Sequence, residues 1–308
     1  MLVQQTTLFD DVQYNRIKHN RVVNVASVPQ LSPFRYPGGK TWLVPYIRRW
    51  LSSSLRQQNR LSPISPAEFI EPFAGGGIIS LTVAAENLAD LVVMVEIDED
   101  VAAVWQTIFH EDLWQWLAQN IVSFDLTEEN IESLFARTDL TLQEWALKTI
   151  IRNRVNRGGI LARGAGRIKN GEAGKGIRSR WYPATLAKRI ENIASLSPQI
   201  TFIHGDGMHI LKQYSDRTDA IFFIDPPYTV AGKKAGNRLY TYSEVDHQAL
   251  FELASKLKGD FLMTYDDTDE VRSLAHLYNF DVQAIAMKST HHARMQELLI
   301  GKDLNWLR

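Results

Sequence analysis

Residues 68–80, EFIEPFAGGGIIS, join a predicted β-strand to a predicted helix through three consecutive glycines. Glycine lets a backbone approach a ligand closely, and the first N–H groups of a helix are free to bind it. The glycines are followed by Ile78, Ile79 and Ser80, so the third glycine of the dinucleotide fingerprint is missing and a nicotinamide site is disfavoured. This stretch alone is also compatible with a tight strand–helix turn that binds no ligand.

The next predicted strand ends in acidic residues. The sequence VVMVEID places Glu96 and Asp98 about twenty residues after the glycines. An acid at this strand tip is where a ribose diol is held by paired hydrogen bonds. Asp98 is also a plausible helix N-cap, and the two roles are compatible. Together the two stretches predict a site for an adenosine-bearing cofactor.

The sequence IFFIDPPY, residues 221–228, is the sharpest chemical signal in the chain. A buried strand delivers Asp225 to its carboxyl end, where open α/β sheets bind substrates. Neither Pro226 nor Pro227 has an N–H group, so the local backbone presents only acceptors. An acid beside a fixed carbonyl suits a substrate with an amino group, and Tyr228 adds a flat face. The alternative is a rigid turn that only ends the strand.

Alternating strands and helices fill most of the chain and predict an α/β doubly wound sheet. Apolar runs such as LVVMV and IFFI are typical of parallel strands buried on both faces. Ser243 is the candidate cap of the helix that starts at Glu244. The predicted strands are Glu68–Phe73, Leu91–Ile97, Ile200–His204, Ala220–Asp225, Asp260–Tyr265, Asp281–Met287 and Gln296–Ile300. The predicted helices are Thr41–Leu55, Ile78–Leu88, Glu99–Phe109, Leu142–Arg154, Pro183–Leu196, Glu244–Leu257 and Glu270–Leu277.

One connection is too long for a simple crossover, since about a hundred residues separate Ile97 from Ile200. We predict a second, mainly helical subdomain at 111–197, inserted into a main domain formed by 32–110 and 198–308. Residues 1–31 are polar and weakly patterned, which predicts an N-terminal arm or a disordered segment.

Charge is distributed unevenly in this 308-residue chain, whose net charge is only −1. Residues 148–190 contain twelve cations and one acid, giving +11 and leaving −12 for the remainder. Glycines alternate with cations in RGGILARGAGRIKNGEAGKGIRSR, residues 157–180. Such a segment favours binding to a phosphate backbone over a merely solvated loop.

Several classes of protein are disfavoured by composition. The chain has no cysteine, which excludes disulfides, thiolate metal sites and a cysteine nucleophile, and no metal site is predicted. PGGKT at 37–41 fails as a phosphate loop, because Phe34 stands where that motif needs glycine. No apolar run is long enough to span a membrane, and the N-terminus does not look like a secretory signal, so we expect a cytoplasmic protein.

These motifs, in this order, resemble those of the Dam-type (D12 class) DNA adenine-N6 methyltransferases. The likeness runs from Phe34 to the C-terminus through FRYPGGKTWLVPYI, FIEPFAGGGIISL, VMVEIDED, the region 148–182 with NRVNRGGILAR and RWYP, and IDPPY. It implies a class I S-adenosylmethionine-dependent methyltransferase fold. That fold is a doubly wound, mostly parallel seven-stranded sheet, here with an inserted helical target-recognition subdomain.

The resemblance also implies roles for individual residues. The implied catalytic residues are Asp225, Pro226, Pro227 and Tyr228. The implied contacts of the cofactor, S-adenosylmethionine, are Tyr36, Gly38, Gly39, Lys40, Glu71, Phe73, Gly75, Gly77, Glu96 (ribose), Ile97, Asp98, Asp206 (adenine), Gly207 and Asp225. The implied DNA contacts are Arg35, Arg154, Asn156, Arg157, Arg163, Arg167, Lys169, Lys175, Arg178, Arg180, Lys233 and Lys234.

The implied reaction is site-specific methylation of the N6 atom of an adenine that is flipped out of double-stranded DNA. The resemblance implies that the enzyme acts as a monomer on DNA. A cognate restriction endonuclease is a candidate partner. Arg157 and Arg163 are the predicted base readers, and the glycine-rich stretch 229–242 is expected to close over the flipped base. Tyr36 stands where Dam has tryptophan, and the arginine-rich stretch differs from the Dam recognition sequence, so a GATC target does not follow. Three alternatives stay open: an RNA adenine methyltransferase, a protein glutamine methyltransferase, and an inactive DNA-binding module.

Overall fold

The computed structural model describes residues 28–35, 39–58, 67–162, 164–171, 174–227, 245–288 and 294–307. Six of the predicted site residues lie outside these ranges, as do most of the predicted N-terminal arm and the stretch 229–242. Those six are Tyr36, Gly38, Arg163, Tyr228, Lys233 and Lys234.

A seven-stranded sheet in the order β3-β2-β1-β4-β5-β7-β6 forms the centre of the molecule. Strands β1 to β5 are parallel, whereas β7 is antiparallel to both of its neighbours. This arrangement confirms the predicted doubly wound, mostly parallel sheet. The strands are β1 (Glu68–Glu71), β2 (Leu91–Glu96), β3 (Ile200–His204), β4 (Ala220–Ile224), β5 (Asp260–Asp266), β6 (Asp281–Lys288) and β7 (Arg294–Gly301).

Helices cover both faces of this sheet. The α-helices are α1 (Val44–Gln58), α2 (Ile78–Ala85), α3 (Glu99–Phe109), α4 (Leu113–Ser123), α5 (Glu128–Ala136), α6 (Leu142–Val155), α7 (Pro183–Ala194), α8 (Gly207–Gln213), α9 (His247–Lys256) and α10 (Asp269–Leu277). Short 3-10 helices span Thr41–Leu43, Arg157–Gly159, Gly176–Arg180 and Asn305–Leu307.

The strand sequences explain why the sheet is covered on both sides. Alternate residues of each strand enter two different hydrophobic clusters. Phe69 of β1 and Phe223 of β4 belong to the first cluster, and Ile70 and Phe222 belong to the second. The first cluster takes in α1 to α7 and the second takes in α8 to α10. The continuous apolar runs therefore reflect burial on both faces.

The long connection between β2 and β3 contains the five helices α3 to α7. Leu117 of α4, Ile131 of α5 and Ile150 of α6 are fully buried in the same cluster as Phe69 of the sheet. The inserted helices therefore extend the core of the first face. The proposed limits of a recognition subdomain, and its role, stay a prediction.

The predicted cap of α9 is wrong. This helix begins at His247, and the Asp246 carboxylate caps it by accepting a 2.9 Å hydrogen bond from the Ala249 amide. Asp246 lies three residues after Ser243, and a carboxylate in that position also interacts favourably with the helix dipole.

The chain order fixes where a site can form. From β1 the chain continues to β2 and β3 on one side, whereas β4 and β5 extend on the other. The gap beyond the carboxyl ends of β1 and β4 is the topological switch point, where sheets of this kind bind ligands. None of the described helices has the length and apolar character needed to cross a membrane.

Candidate active site

Side chains of β2 and α3 pack against the glycine turn between β1 and α2. Gly77 has a φ of 65°, and a Cβ atom there would lie 2.6 Å from Met94 Cε and 2.9 Å from the Trp105 ring. Trp105 also donates a 3.0 Å hydrogen bond from its indole Nε1 to the Gly75 carbonyl. The role of Gly77 is therefore close packing of the turn against β2 and α3.

Glu96, at the end of β2, is fixed by backbone donors from two loops. Its Oε2 accepts a 2.8 Å hydrogen bond from the Gly75 amide, and its Oε1 accepts a 2.7 Å bond from the Asp98 amide. Burial raises the pKa of Glu96 to about 7, although these hydrogen bonds oppose the shift. A preoriented carboxylate beside the glycine turn fits the predicted ribose contact.

Asp98 has the capping role that the sequence left open, because its carboxylate accepts a 2.9 Å hydrogen bond from the Asp100 amide at the start of α3. Ile97, between the two acids, is exposed. Its apolar surface lies directly after the predicted ribose residue, where an adenine ring could pack.

Glu71 ends β1 as a buried carboxyl group. Its Oε2 accepts hydrogen bonds from the Ser80 amide, at 2.9 Å, and from the Ser80 hydroxyl. Burial raises the pKa of Glu71 to about 8, and the charges of Asp225 and Glu96 add to the increase. Three carboxyl groups therefore gather at the ends of β1, β2 and β4, where their ionised forms would attract a cation.

The loop after β3 lies against the glycine turn. A Cβ atom on Gly207 would lie 2.2 Å from the Pro72 carbonyl oxygen and 3.0 Å from the Phe73 ring, so only glycine permits this close approach. The exposed Asp206 caps α8 through a 2.9 Å hydrogen bond from the Met208 amide. Phe73, Asp206 and Gly207 are thus brought together, as the predicted cofactor contacts require.

Asp225 follows β4, and two donors hold one of its carboxylate oxygens. Thr264 Oγ1 donates to Oδ1 at 2.6 Å, and Lys40 Nζ lies 3.1 Å from the same oxygen. Lys40 also contacts Glu297 Oε1 at 2.7 Å. Burial opposes the charged form of Lys40, but the two carboxylates raise its pKa above the ordinary value, so it stays protonated. The structure places the Lys40 ammonium at the predicted catalytic acid, whereas Gly39 is exposed beside it.

Thr264 and Glu297 were missed by the sequence analysis. Thr264 is one polar residue among the buried residues of β5, and only the strand register shows that it adjoins Asp225. Glu297 did carry a signal, because it is a charged residue directly before the apolar run Leu298-Leu299-Ile300. A carboxylate in a buried strand needs a cationic partner, and the partner here is Lys40.

Two predicted DNA contacts are wrong. Arg154 is buried and donates a 2.6 Å hydrogen bond to the Pro33 carbonyl. Burial lowers its pKa to about 9, and the charges of Arg189 and Arg35 add to the decrease. Asn156 is also buried and donates from Nδ2 to the Ile160 carbonyl at 2.7 Å. Both side chains hold the protein together and are not accessible to a nucleic acid.

The seven remaining predicted DNA contacts among the described residues lie at the surface. Arg35, Arg157, Lys169, Lys175 and Arg178 are exposed, and Arg167 and Arg180 are half-buried. Arg178 pairs with Asp125 at 2.8 Å, and Arg167 pairs with Glu128 and Glu132. Three of the cations share one cavity of about 320 Å³, whose lining consists of Arg157, Lys169 and Arg180 with Gly158, Ile168, Asn170 and Gly171.

The inserted helices are tied to the predicted cofactor region at two points. At one, Asp100 of α3 accepts 2.6 Å hydrogen bonds from Arg152 and Trp145 of α6. These residues line a second cavity of about 580 Å³ that also reaches Asp98. At the other, Asn153 of α6 accepts from the Arg35 amide at 2.8 Å and donates to the Arg35 carbonyl at 3.1 Å. The start of the FRYPGGK motif is therefore fastened to α6.

Among the described residues, no group of three or more His, Asp or Glu side chains is arranged so that it could hold a metal ion. The described site instead combines a glycine turn, three carboxyl groups and one paired lysine. It offers hydrogen-bond acceptors and negative charge at the carboxyl edge of the sheet.

Comparisons with solved structures find distant similarities to methyltransferases. A protein from Pyrococcus horikoshii described as an RNA methyltransferase is 12% identical over 90% of this chain and 92% of its own, with a TM-score of 0.39. The precorrin-6y C5,15-methyltransferase of Geobacter metallireducens is 10% identical over 83% of this chain and 86% of its own, with a TM-score of 0.33. The rRNA methyltransferase aviRa of Streptomyces viridochromogenes is 10% identical over 83% and 84%, with a TM-score of 0.31.

No curated protein matches the chain at a significant level. A family model does match, over residues 36–286, and its description is D12 class N6 adenine-specific DNA methyltransferase. The matched range includes the glycine turn, Glu96, Asp225 and the whole inserted region, and the sheet has the strand order of the class I methyltransferase fold. The chain therefore belongs to the D12 class of N6 adenine-specific DNA methyltransferases.

Proposed function

We propose that this protein is a site-specific DNA methyltransferase that moves the methyl group of S-adenosylmethionine to N6 of an adenine flipped out of duplex DNA. The observation that carries the proposal is Asp225. It stands at the topological switch point with one carboxylate oxygen held by Thr264 and Lys40. The family membership supports DNA adenine as the substrate, and the arrangement around Asp225 supports its role as an acceptor for the amino group.

The residues present fit S-adenosylmethionine. Glu96 would accept hydrogen bonds from the ribose hydroxyls, because the Gly75 and Asp98 amides already orient it. Asp225, and Glu71 in its ionised form, would supply negative charge for a ligand that carries a sulfonium and an ammonium group. Ile97 and the loop of Asp206 would contact the adenine. When bound, this cofactor supplies an electrophilic methyl group.

Asp225 and Pro226 would activate the target base. The lone pair of an adenine amino group is delocalised into the ring, which makes N6 a poor nucleophile. Hydrogen bonds from N6–H to the Asp225 carboxylate and the Pro226 carbonyl would localise the lone pair on N6. The same acceptors stabilise the positive charge that develops on N6 during attack. A preorganised electrostatic contact of this kind is worth about 3 kcal/mol.

The exposed cations of the inserted region would bind the DNA. Arg157, Lys169 and Arg180 line one cavity, which suits a backbone phosphate. Extruding the base costs a few kcal/mol, and stacking on Tyr228 would offset about 1–3 kcal/mol of that cost. We include Tyr228 on the strength of the DPPY motif alone.

The test is transfer of a radiolabelled methyl group from S-adenosylmethionine to duplex DNA, to RNA of the same sequence and to protein. We expect label in the DNA only, recovered as N6-methyldeoxyadenosine after digestion to nucleosides. Asp225→Ala should retain less than a tenth of the rate while still binding DNA. Label in RNA or protein but not in DNA would replace this function with one of the other two enzyme classes.

A further inference from the structure

Asp225, the predicted acceptor, contacts a group of three buried polar side chains, Lys40, Thr264 and Glu297. Asp225 follows β4, Thr264 lies in β5, Glu297 lies in β7, and Lys40 precedes the first helical turn. Strand alternation puts Asp225, Thr264 and Glu297 on the same face of the sheet as Phe223, Leu262 and Leu299. Lys40 approaches from that face and contacts both carboxylates.

Asp225 and this group together contain one positively charged side chain, Lys40, and two carboxylates, those of Asp225 and Glu297. One ammonium group serves two carboxylates, and its distance to Glu297 Oε1 is 2.7 Å, against 3.1 Å to Asp225 Oδ1. If Glu297 were neutral, the full charge of Lys40 would fall on Asp225. Asp225 would then be a weaker acceptor, because a carboxylate that already compensates a buried cation attracts a second positive centre less strongly.

Stability alone gives a poor reason for this arrangement. Burying charged groups carries a large desolvation cost, and a buried ion pair is often no more stabilising than apolar residues of similar volume. Both Lys40 and Glu297 are more than nine-tenths buried. The pair lies directly beside Asp225, the predicted catalytic acid.

We propose that Glu297 is a positioning residue for methyl transfer. It anchors the Lys40 ammonium and takes the larger share of its charge, so that Lys40 orients Asp225 without neutralising it. Glu297 itself does not touch the reacting atoms. This inference rests on the proposed function, because it assigns Glu297 a part in activating the amino group.

Glu297→Gln is the informative change, since its amide oxygen can still accept from Lys40 while the negative charge is lost. We expect kcat for DNA methylation to fall about ten-fold at saturating cofactor, with DNA affinity and thermal stability close to those of the unchanged protein. The exposed Gln296, next to Glu297 in β7, gives the matched control, and Gln296→Ala should leave kcat unchanged.

A double-mutant cycle shows whether Glu297 acts through Lys40. In a Lys40→Met background the ammonium is absent, so Glu297→Gln should cause no further loss of kcat. Equal losses in both backgrounds, or a Glu297→Gln protein with wild-type kcat, would overturn the positioning role. Failure of the proposed function looks different: the unchanged protein would not methylate DNA, or Asp225→Ala would remain active.

Discussion

Glu96 is a buried acid that backbone amides hold in one orientation. The Gly75 and Asp98 amides each hold one of its carboxylate oxygens. The sequence locates this acid, because it ends β2 about twenty residues after the glycine turn, and its contact with a ribose stays a prediction. The sequence could not predict the contacts of Thr264 and Glu297 with Asp225 and Lys40, because those contacts depend on strand register, although the charge of Glu297 before an apolar run was a signal.

Glu96→Ala is predicted to weaken S-adenosylmethionine binding by more than ten-fold, since a bidentate contact with the ribose would be lost. The effect on kcat at saturating cofactor should be smaller. Isothermal titration calorimetry measures the first quantity and steady-state kinetics the second. An unchanged cofactor affinity would mean that Glu96 only stabilises the loops of Gly75 and Asp98 through hydrogen bonds and does not contact the cofactor.

The raised pKa of Glu71 predicts that cofactor binding depends on pH. Its pKa of about 8 means that it is largely protonated at neutral pH, and only the ionised form attracts a cation. Binding should therefore release protons, and affinity should rise as the pH increases from about 7 to 9. Calorimetry in two buffers of different ionisation enthalpy counts the protons.

Glu71→Gln should remove part of that proton release. The comparison with the unchanged protein is the readout, because titration of the cofactor's own amino group is common to both. Glu68→Gln is the matched control, since Glu68 lies at the opposite end of β1 beside Arg217. Identical proton release in Glu71→Gln and the wild-type protein would mean that cofactor binding does not change the protonation of Glu71.

At the level of elements, the strands were predicted well and the helical connections less well. Strand β3 and helix α3 have the predicted limits, because apolar runs and a strong cap define them locally. Helices α4, α5 and α8 were not predicted individually. Helices α5 and α8 are short and give little periodicity, and the positions of all three depend on packing against α6, α7 and the sheet.

The attachment of the FRYPGGK motif to α6 gives a prediction at this scale. Asn153 is buried and hydrogen-bonds with the Arg35 amide, the Arg35 carbonyl and the Gly159 carbonyl. Asn153→Ala would leave those groups without this partner, which should lower the free energy of unfolding by about 2–4 kcal/mol. It should also raise KM for the cofactor, because the motif leads directly into Gly39 and Lys40.

Denaturant unfolding and initial-rate kinetics test these two effects. Asn192→Ala, an exposed change on α7, is the control and should alter neither. Loss of stability with an unchanged KM would show that α6 supports the fold without supporting the cofactor motif.

At the level of the whole molecule, charge separates the inserted region from the rest. The net charge of −1 hides a +11 segment, and the sequence was sufficient to locate it. The sequence could not tell which cations are accessible. Arg154 belongs to the same basic segment as the exposed Arg157, yet it is buried against Pro33, because α6 turns that side toward the core.

The last prediction separates accessible cations from the others by salt dependence. Each phosphate neutralised by a cation contributes a slope of about −0.9 to log K against log[salt] for duplex DNA. Lys169→Ala should weaken binding to all DNA sequences alike and make the slope shallower by about one unit. Arg157→Ala should do the same if it contacts phosphate, or relax target choice at one position by about 1–3 kcal/mol if it reads a base.

Lys258→Ala is the matched control, because Lys258 precedes β5 at the amino edge of the parallel strands, opposite the predicted active site. It is exposed and pairs with Asp216 at 2.8 Å, so its loss should leave the DNA slope unchanged. Fluorescence anisotropy at several salt concentrations gives the slopes, and sequencing of methylated sites gives the target. If Arg157→Ala and Lys169→Ala match the unchanged protein in affinity, slope and target, the cavity they line does not contact DNA. The duplex must then approach the active site from another side.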